Sequence, residues 1–126
     1  MMEKKYLIQD FEIVEADKIL AIAQDLKSSG CRLIQICASL TGELLEILYS
    51  FEKDNIVKSY KIHIDARAPE LQSITATYYY AFIYENEIHD LFGVTFKNLA
   101  LDYEGHFYKI SRETPWNPLF GKGGEN

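Results

Sequence analysis

The sequence predicts an α+β domain: a small, mostly antiparallel sheet with two helices packed on it and an irregular C-terminal tail. Three observations carry this. Between Arg32 and Ala66 apolar residues recur with a period of two, interrupted at Thr41-Gly42 and at Lys53-Asp54-Asn55, the pattern of a strand meander. Before and after it, stretches around Ile19–Leu26 and Ile74–Phe92 carry apolar residues at helical spacing. Past Gly93 the periodicity fades. At 126 residues, 48% of them apolar and 25% charged, the chain suits one domain with a modest core. The expected division is a domain over 1–113 and an extended tail over 114–126.

The opening strand is expected over Tyr6–Ile13. A first helix begins at Glu15-Ala16-Asp17, where acids favour the positive end of the macrodipole. Ile19, Leu20, Ile22, Ala23 and Leu26 form its apolar stripe, and Ser28-Ser29-Gly30 ends it. Arg32–Leu40 is apolar on both faces and reads as a central strand. In Glu43–Phe51, Leu45, Ile47, Tyr49 and Phe51 alternate with Leu44, Glu46, Leu48 and Ser50. In Ile56–Ala66, Tyr60, Ile62 and Ile64 oppose Lys61, His63 and Asp65. Pro69 closes the sheet, and Ser73 reads as the N-cap of a second helix reaching Leu91 or Phe92 and stopped by Gly93. His106–Ile110 reads as one more short strand.

Composition excludes several classes. A net charge of -6 with no basic run longer than Lys4-Lys5 argues against a nucleic-acid surface. No apolar run approaches the roughly 20 residues of a membrane span. Asp10, Glu12, Glu15 and Asp17 interrupt any signal-peptide core, so a cytoplasmic location is expected. On one strand Cys31 and Cys37 stand roughly 20 Å apart at about 3.3 Å per residue, too far for a disulfide. They read as small hydrophobes in a reducing compartment.

The most informative stretch is Tyr84-Glu85-Asn86-Glu87-Ile88-His89-Asp90-Leu91-Phe92-Gly93-Val94. On a helix turning about 100° per residue, Ile74, Tyr78, Ala81, Ile88 and Phe92 share a stripe with Glu85 in its middle, and His89 lies one turn from Glu85. The opposite face carries Tyr79, Tyr80, Ile83, Glu87 and Asp90, too apolar for open solvent. Three readings compete. Glu85, Glu87, His89 and Asp90 are metal-ligand types, but Glu-x-x-His and zincin spacings are missing. Glu85 on an apolar stripe could act as a general acid or base with a raised pKa, yet no companion nucleophile, phosphate loop or oxyanion motif accompanies it. Structural carboxylates could instead accept backbone N–H groups or pair with an arginine of this chain or of a partner. Trp116, Leu119 and Phe120 on the tail either fold back or rest on a neighbour.

Ser73-Ile74-Thr75, Ala81 and the stretch from Tyr84 to Val94 resemble the signature of the 30 kDa subunit of NADH-quinone oxidoreductase, respiratory complex I. The match runs through Tyr84, Glu85, Glu87, Asp90, Phe92 and Gly93. Asn86 stands where that family usually has arginine. The sequence after Val94 departs from the family's ending, of which Gly105-His106 is a remnant. In this the chain looks more like the small accessory subunit of energy-converting membrane-bound [NiFe] hydrogenases. The resemblance implies a non-catalytic structural subunit with no cofactor, cluster or metal of its own. Its partners would be the large [NiFe]-hydrogenase-like subunit and the iron–sulfur subunits of a peripheral cytoplasmic arm, with membrane contact only through the complex. Tyr79, Tyr80 and Ile83 would give interface area, Glu87 and Asp90 would pair with partner cations, and Trp116–Phe120 would dock as an arm. Glu85 would satisfy the fold internally, through His89. The readings from other classes are a small metal-binding or hydrolytic protein using Glu85, His89 and Asp90 with His63 or His106, and a stand-alone adaptor.

Overall fold

The structure, a computed structural model, describes residues 9–98 and 116–121. The elements are β1 (Gln9–Ile13), a 3-10 turn (Ala16–Lys18) leading into α1 (Ile19–Ser28), β2 (Arg32–Thr41), β3 (Leu44–Lys53), β4 (Ile56–Asp65), β5 (Glu70–Gln72), α2 (Ala81–Phe92) and β6 (Thr95–Lys97). The main sheet has the order β1-β4-β3-β2, antiparallel except for the parallel β1–β4 pair. The domain is therefore α+β, as the alternation predicts.

Both hairpins of the meander have two-residue loops. Gly42 takes φ +65°, and Asp54 and Asn55 take +54° and +67°. Such loops need these left-handed conformations for their twist to match that of the strands. The period of two then sorts the residues by face. Leu45, Ile47, Tyr49 and Phe51 of β3 lie beside Ile64, Ile62, Tyr60 and Lys58 of β4 and beside Leu40, Ala38, Ile36 and Leu33 of β2. This face joins Ile19, Ala23 and Leu26 of α1 and Ala81, Ile88 and Phe92 of α2 in one core. The other face is open: Phe11 and Ile13 of β1 are exposed, and Ser50 and Ser59 hydrogen-bond to each other at 3.0 Å beneath a shallow groove.

Three expectations are corrected. β2 lies at the sheet's edge, and β3 and β4 form its centre. Its apolar character has a local cause: a bulge at Ile34 breaks the alternation between Leu33 and Gln35. Ser73 caps no helix, because its hydroxyl is engaged by Glu85 and Thr75; α2 starts at Ala81 after a turn through residues 74–80. β5 and β6 form a parallel two-stranded pair that no periodicity announced, since three residues hold too little pattern. The expected strand His106–Ile110 and the expected strand residues Tyr6–Ile8 lie outside the described residues.

Candidate functional site

α2 divides the signature stretch between an inner and an outer face. Its N-terminal approach is set by Glu85, whose side chain is 0% exposed. The Glu85 carboxylate accepts the Ser73 hydroxyl at 2.8 Å and the Ile74 N–H at 2.9 Å. Ser73 Oγ in turn accepts the Thr75 N–H at 3.1 Å and lies 2.8 Å from Thr75 Oγ1. The carboxylate therefore fastens the 73–75 segment to the helix core. Burial pushes its pKa up to about 7, against the opposing pull of the Ile74 and Ser73 hydrogen bonds. His89 is not its partner: His89 Nδ1 lies 2.9 Å from the Val94 carbonyl, which places the ring proton on Nδ1.

A second set of contacts ties the turn and helix to the edge strand. Tyr78 donates to the Cys31 carbonyl at 2.7 Å and Tyr84 to that of Ile34 at 2.7 Å. Tyr80 donates to the Leu33 carbonyl at 3.0 Å and accepts the Leu33 N–H at 3.1 Å, as a neighbouring strand would. Burial pushes the Tyr78 phenol up to about 12, so it stays a donor. Tyr80, expected to serve a partner, thus spends its hydroxyl inside the domain while 40% of its surface stays exposed.

The helix ends at Gly93, left-handed at φ +80°, whose N–H bonds the His89 carbonyl at 2.9 Å. Residues 116–121 complete this end. Trp116 N–H donates to the Leu91 carbonyl at 2.9 Å, and the Trp116 ring meets Phe92 edge-on with centroids 5.6 Å apart. Asn117, 1% exposed, donates through Nδ2 to the carbonyls of Phe92 and Ala66, each at 2.8 Å. Gly121 N–H reaches the Arg67 carbonyl at 2.7 Å. This stretch therefore turns back on its own domain and is not an extended arm. Leu119 packs against the core, while Trp116 and Phe120 leave about half of their surface outside. Asn117 carried no sequence signal beyond its place between Trp116 and Pro118; its role follows from carbonyls that need donors.

The outer face holds Ile83, 57% exposed, with exposed Glu87 and half-buried Asn86 and Asp90, and Tyr79, 59% exposed, stands in the turn before the helix and not on it as the projection predicts. Asn86 Oδ1 and Asp90 Oδ1 are buried with no hydrogen-bond partner. Among the described residues no three His, Cys, Asp or Glu side chains gather where a metal ion could sit. Glu85 faces inward and Asp90 outward, so the set Glu85, His89 and Asp90 does not converge. His63 lies on the open sheet face, 3.2 Å from Glu46, and His106 falls outside the described residues. Cys31 and Cys37 are free. Burial and the Glu87 carboxylate push the Cys37 thiol up, away from a reactive thiolate. No described helix is long and apolar enough to cross a membrane.

Residues 13–104 match the family model described as "Respiratory-chain NADH dehydrogenase, 30 Kd subunit". Among solved structures, a chain of the membrane-bound sulfane sulfur reductase, described as an archaeal respiratory membrane complex, superposes with a TM-score of 0.68 at 24% identity. That match covers 90% of this chain and 71% of that one. A trypsin-resistant fragment (1–134) of Nqo5 gives a TM-score of 0.61 at 18% identity over 68% of this chain and 76% of that one. No curated protein matches the sequence.

Proposed function

The chain belongs to the family of the 30 kDa subunit of the respiratory-chain NADH dehydrogenase, and on that premise we propose that it is a non-catalytic assembly subunit of a membrane-bound oxidoreductase. Its place is the peripheral cytoplasmic arm of an energy-converting [NiFe] hydrogenase or NADH-quinone oxidoreductase type complex. There it docks on the large [NiFe]-hydrogenase-like subunit and on iron–sulfur subunits. The observation that carries this reading is the outer face of α2, where Ile83 stands exposed beside Glu87 and Asp90, together with exposed Tyr79 in the turn before it.

The mechanism is one of rigid presentation. Glu85 locks the 73–75 segment, three tyrosine hydroxyls hold the turn and helix against β2, and Asn117 with Trp116 caps the helix end. A helix fixed at both ends offers its outer face with little ordering cost on binding. Apolar area from Tyr79 and Ile83 supplies affinity, and a partner's basic side chain at Glu87 and Asp90 supplies orientation.

The reading is tested by purifying an affinity-tagged full-length chain from native membranes. It predicts stoichiometric recovery with a large hydrogenase-like subunit and iron–sulfur subunits. Recovery of the chain alone, from membranes in which that complex is intact without it, would contradict the reading.

A further inference from the structure

The two halves of the outer edge of β2 are treated differently. From Cys31 to Ile34 the main chain is capped by the hydroxyls of Tyr78, Tyr80 and Tyr84. From Gln35 to Thr41 the strand has no proline, no charged side chain and no bulge, the devices that block pairing at natural sheet edges. Its direction of hydrogen bonding follows from the hairpin. The two-residue loop Gly42-Glu43 makes Thr41 and Leu44 a hydrogen-bonded pair, and alternation along the ladder then turns the N–H and C=O of Ile36, Ala38 and Leu40 outward. The same alternation, shifted by the bulge at Ile34, turns Leu33 outward, where Tyr80 meets it. Among the described residues no strand pairs with this outer edge.

Alongside this stretch runs a groove of about 220 Å³ between strand and helix, lined by Ile36, Ala38, Ile88, Leu91, Phe92 and Trp116. Glu87 stands exposed at its rim. We propose that a partner subunit adds an extended segment to β2 at Ile36–Leu40 as a further strand of the main sheet, seating an apolar side chain in this groove and a lysine or arginine at Glu87. This deepens the assembly-subunit reading and rests on it. A row of outward N–H and C=O groups is matched by extended polypeptide, the apolar groove selects a side chain, and the acidic rim on a chain of net charge -6 selects its neighbour's sign.

The test is amide hydrogen exchange on the intact membrane complex, compared with the isolated full-length chain. The amides of Ile36, Ala38 and Leu40 should exchange at least about tenfold more slowly in the complex. Those of Cys37 and Ser39, which point into the ladder with β3, should be slow in both. Ala38→Pro removes one outward N–H and should leave the chain folded, because proline is tolerated where the N–H faces outward; it should drop the chain from the complex. Glu87→Lys should weaken incorporation as well. If Ala38→Pro unfolds the chain, the exchange comparison on the unmodified protein decides. Fast exchange at the three outward amides in a complex that contains the chain overturns strand addition and leaves the subunit reading standing. Failure to find the chain in any complex overturns both. Slow exchange at these amides in the isolated chain shows that another segment of this chain, or a second copy, holds the edge, and overturns the proposal.

Discussion

Glu85 gives the fold a pH dependence that can be worked out in advance. In the unfolded chain its carboxyl titrates near the ordinary value of 4.5; in the fold burial raises it to about 7. A raised carboxyl favours the protonated fold. The associated stability is fully present below pH 4.5, declines as pH rises, and is lost above about pH 7. At about 1.4 kcal/mol per tenfold, the interval corresponds to about 3 kcal/mol, a sizeable part of the total for a domain of this size. The assay is urea unfolding of the isolated chain at a series of pH values from 5 to 8.5. Glu85→Gln keeps the shape and an acceptor for the Ile74 N–H, so its stability should lack the part of the fall that Glu85 gives the parent. The difference between the two curves isolates this group, because other titrating residues are common to both. Parallel curves for parent and Gln variant would show that Glu85 does not titrate with a raised pKa in the fold. Glu85→Ala, which strands the Ile74 N–H and the Ser73 hydroxyl in the core, should cost about 2–4 kcal/mol at pH 5, and the cost should shrink toward pH 8.5 as the parent loses its own advantage.

Two other substitutions probe the supports of α2. Tyr80→Phe removes both hydrogen bonds to Leu33 and should lower stability by about 1–2 kcal/mol in denaturant unfolding, with faster exchange of the Leu33 amide. Asn117→Ala leaves the carbonyls of Ala66 and Phe92 without their donor and should cost about 2–3 kcal/mol, whereas Trp116→Ala, at a half-exposed ring, should cost about 1 kcal/mol or less.

Much of this fold could be read from the sequence because β3 and β4 each bury one face, so a period of two survives along ten residues. The Asp54-Asn55 turn and the Gly93 stop were legible because their backbone conformations demand particular residues. Helical projection alone turned Glu85 inward. The position of β2 was not legible. A strand apolar on both sides normally lies between neighbours, and here tyrosine hydroxyls from residues 47 to 50 positions away take a neighbour's place. Ser73 misled for a related reason: the residue types that cap helices also bind buried carboxylates, and the sequence does not say which is nearer. Asn117 shows the same limit, since its partners Ala66 and Phe92 meet only in the folded chain.

In the proposed division of α2, the outer face serves assembly and the inner face serves the fold. The most direct measurement compares Glu87→Gln/Asp90→Asn with the parent in two readouts: denaturant stability of the isolated chain, and recovery of the large subunit with the tagged chain from membranes. The isolated double variant should stay folded, with stability within about 1 kcal/mol of the parent because Asp90 is half-buried, together with a marked loss of the large subunit from the purified material. An isolated chain that unfolds while assembly is spared would contradict this division.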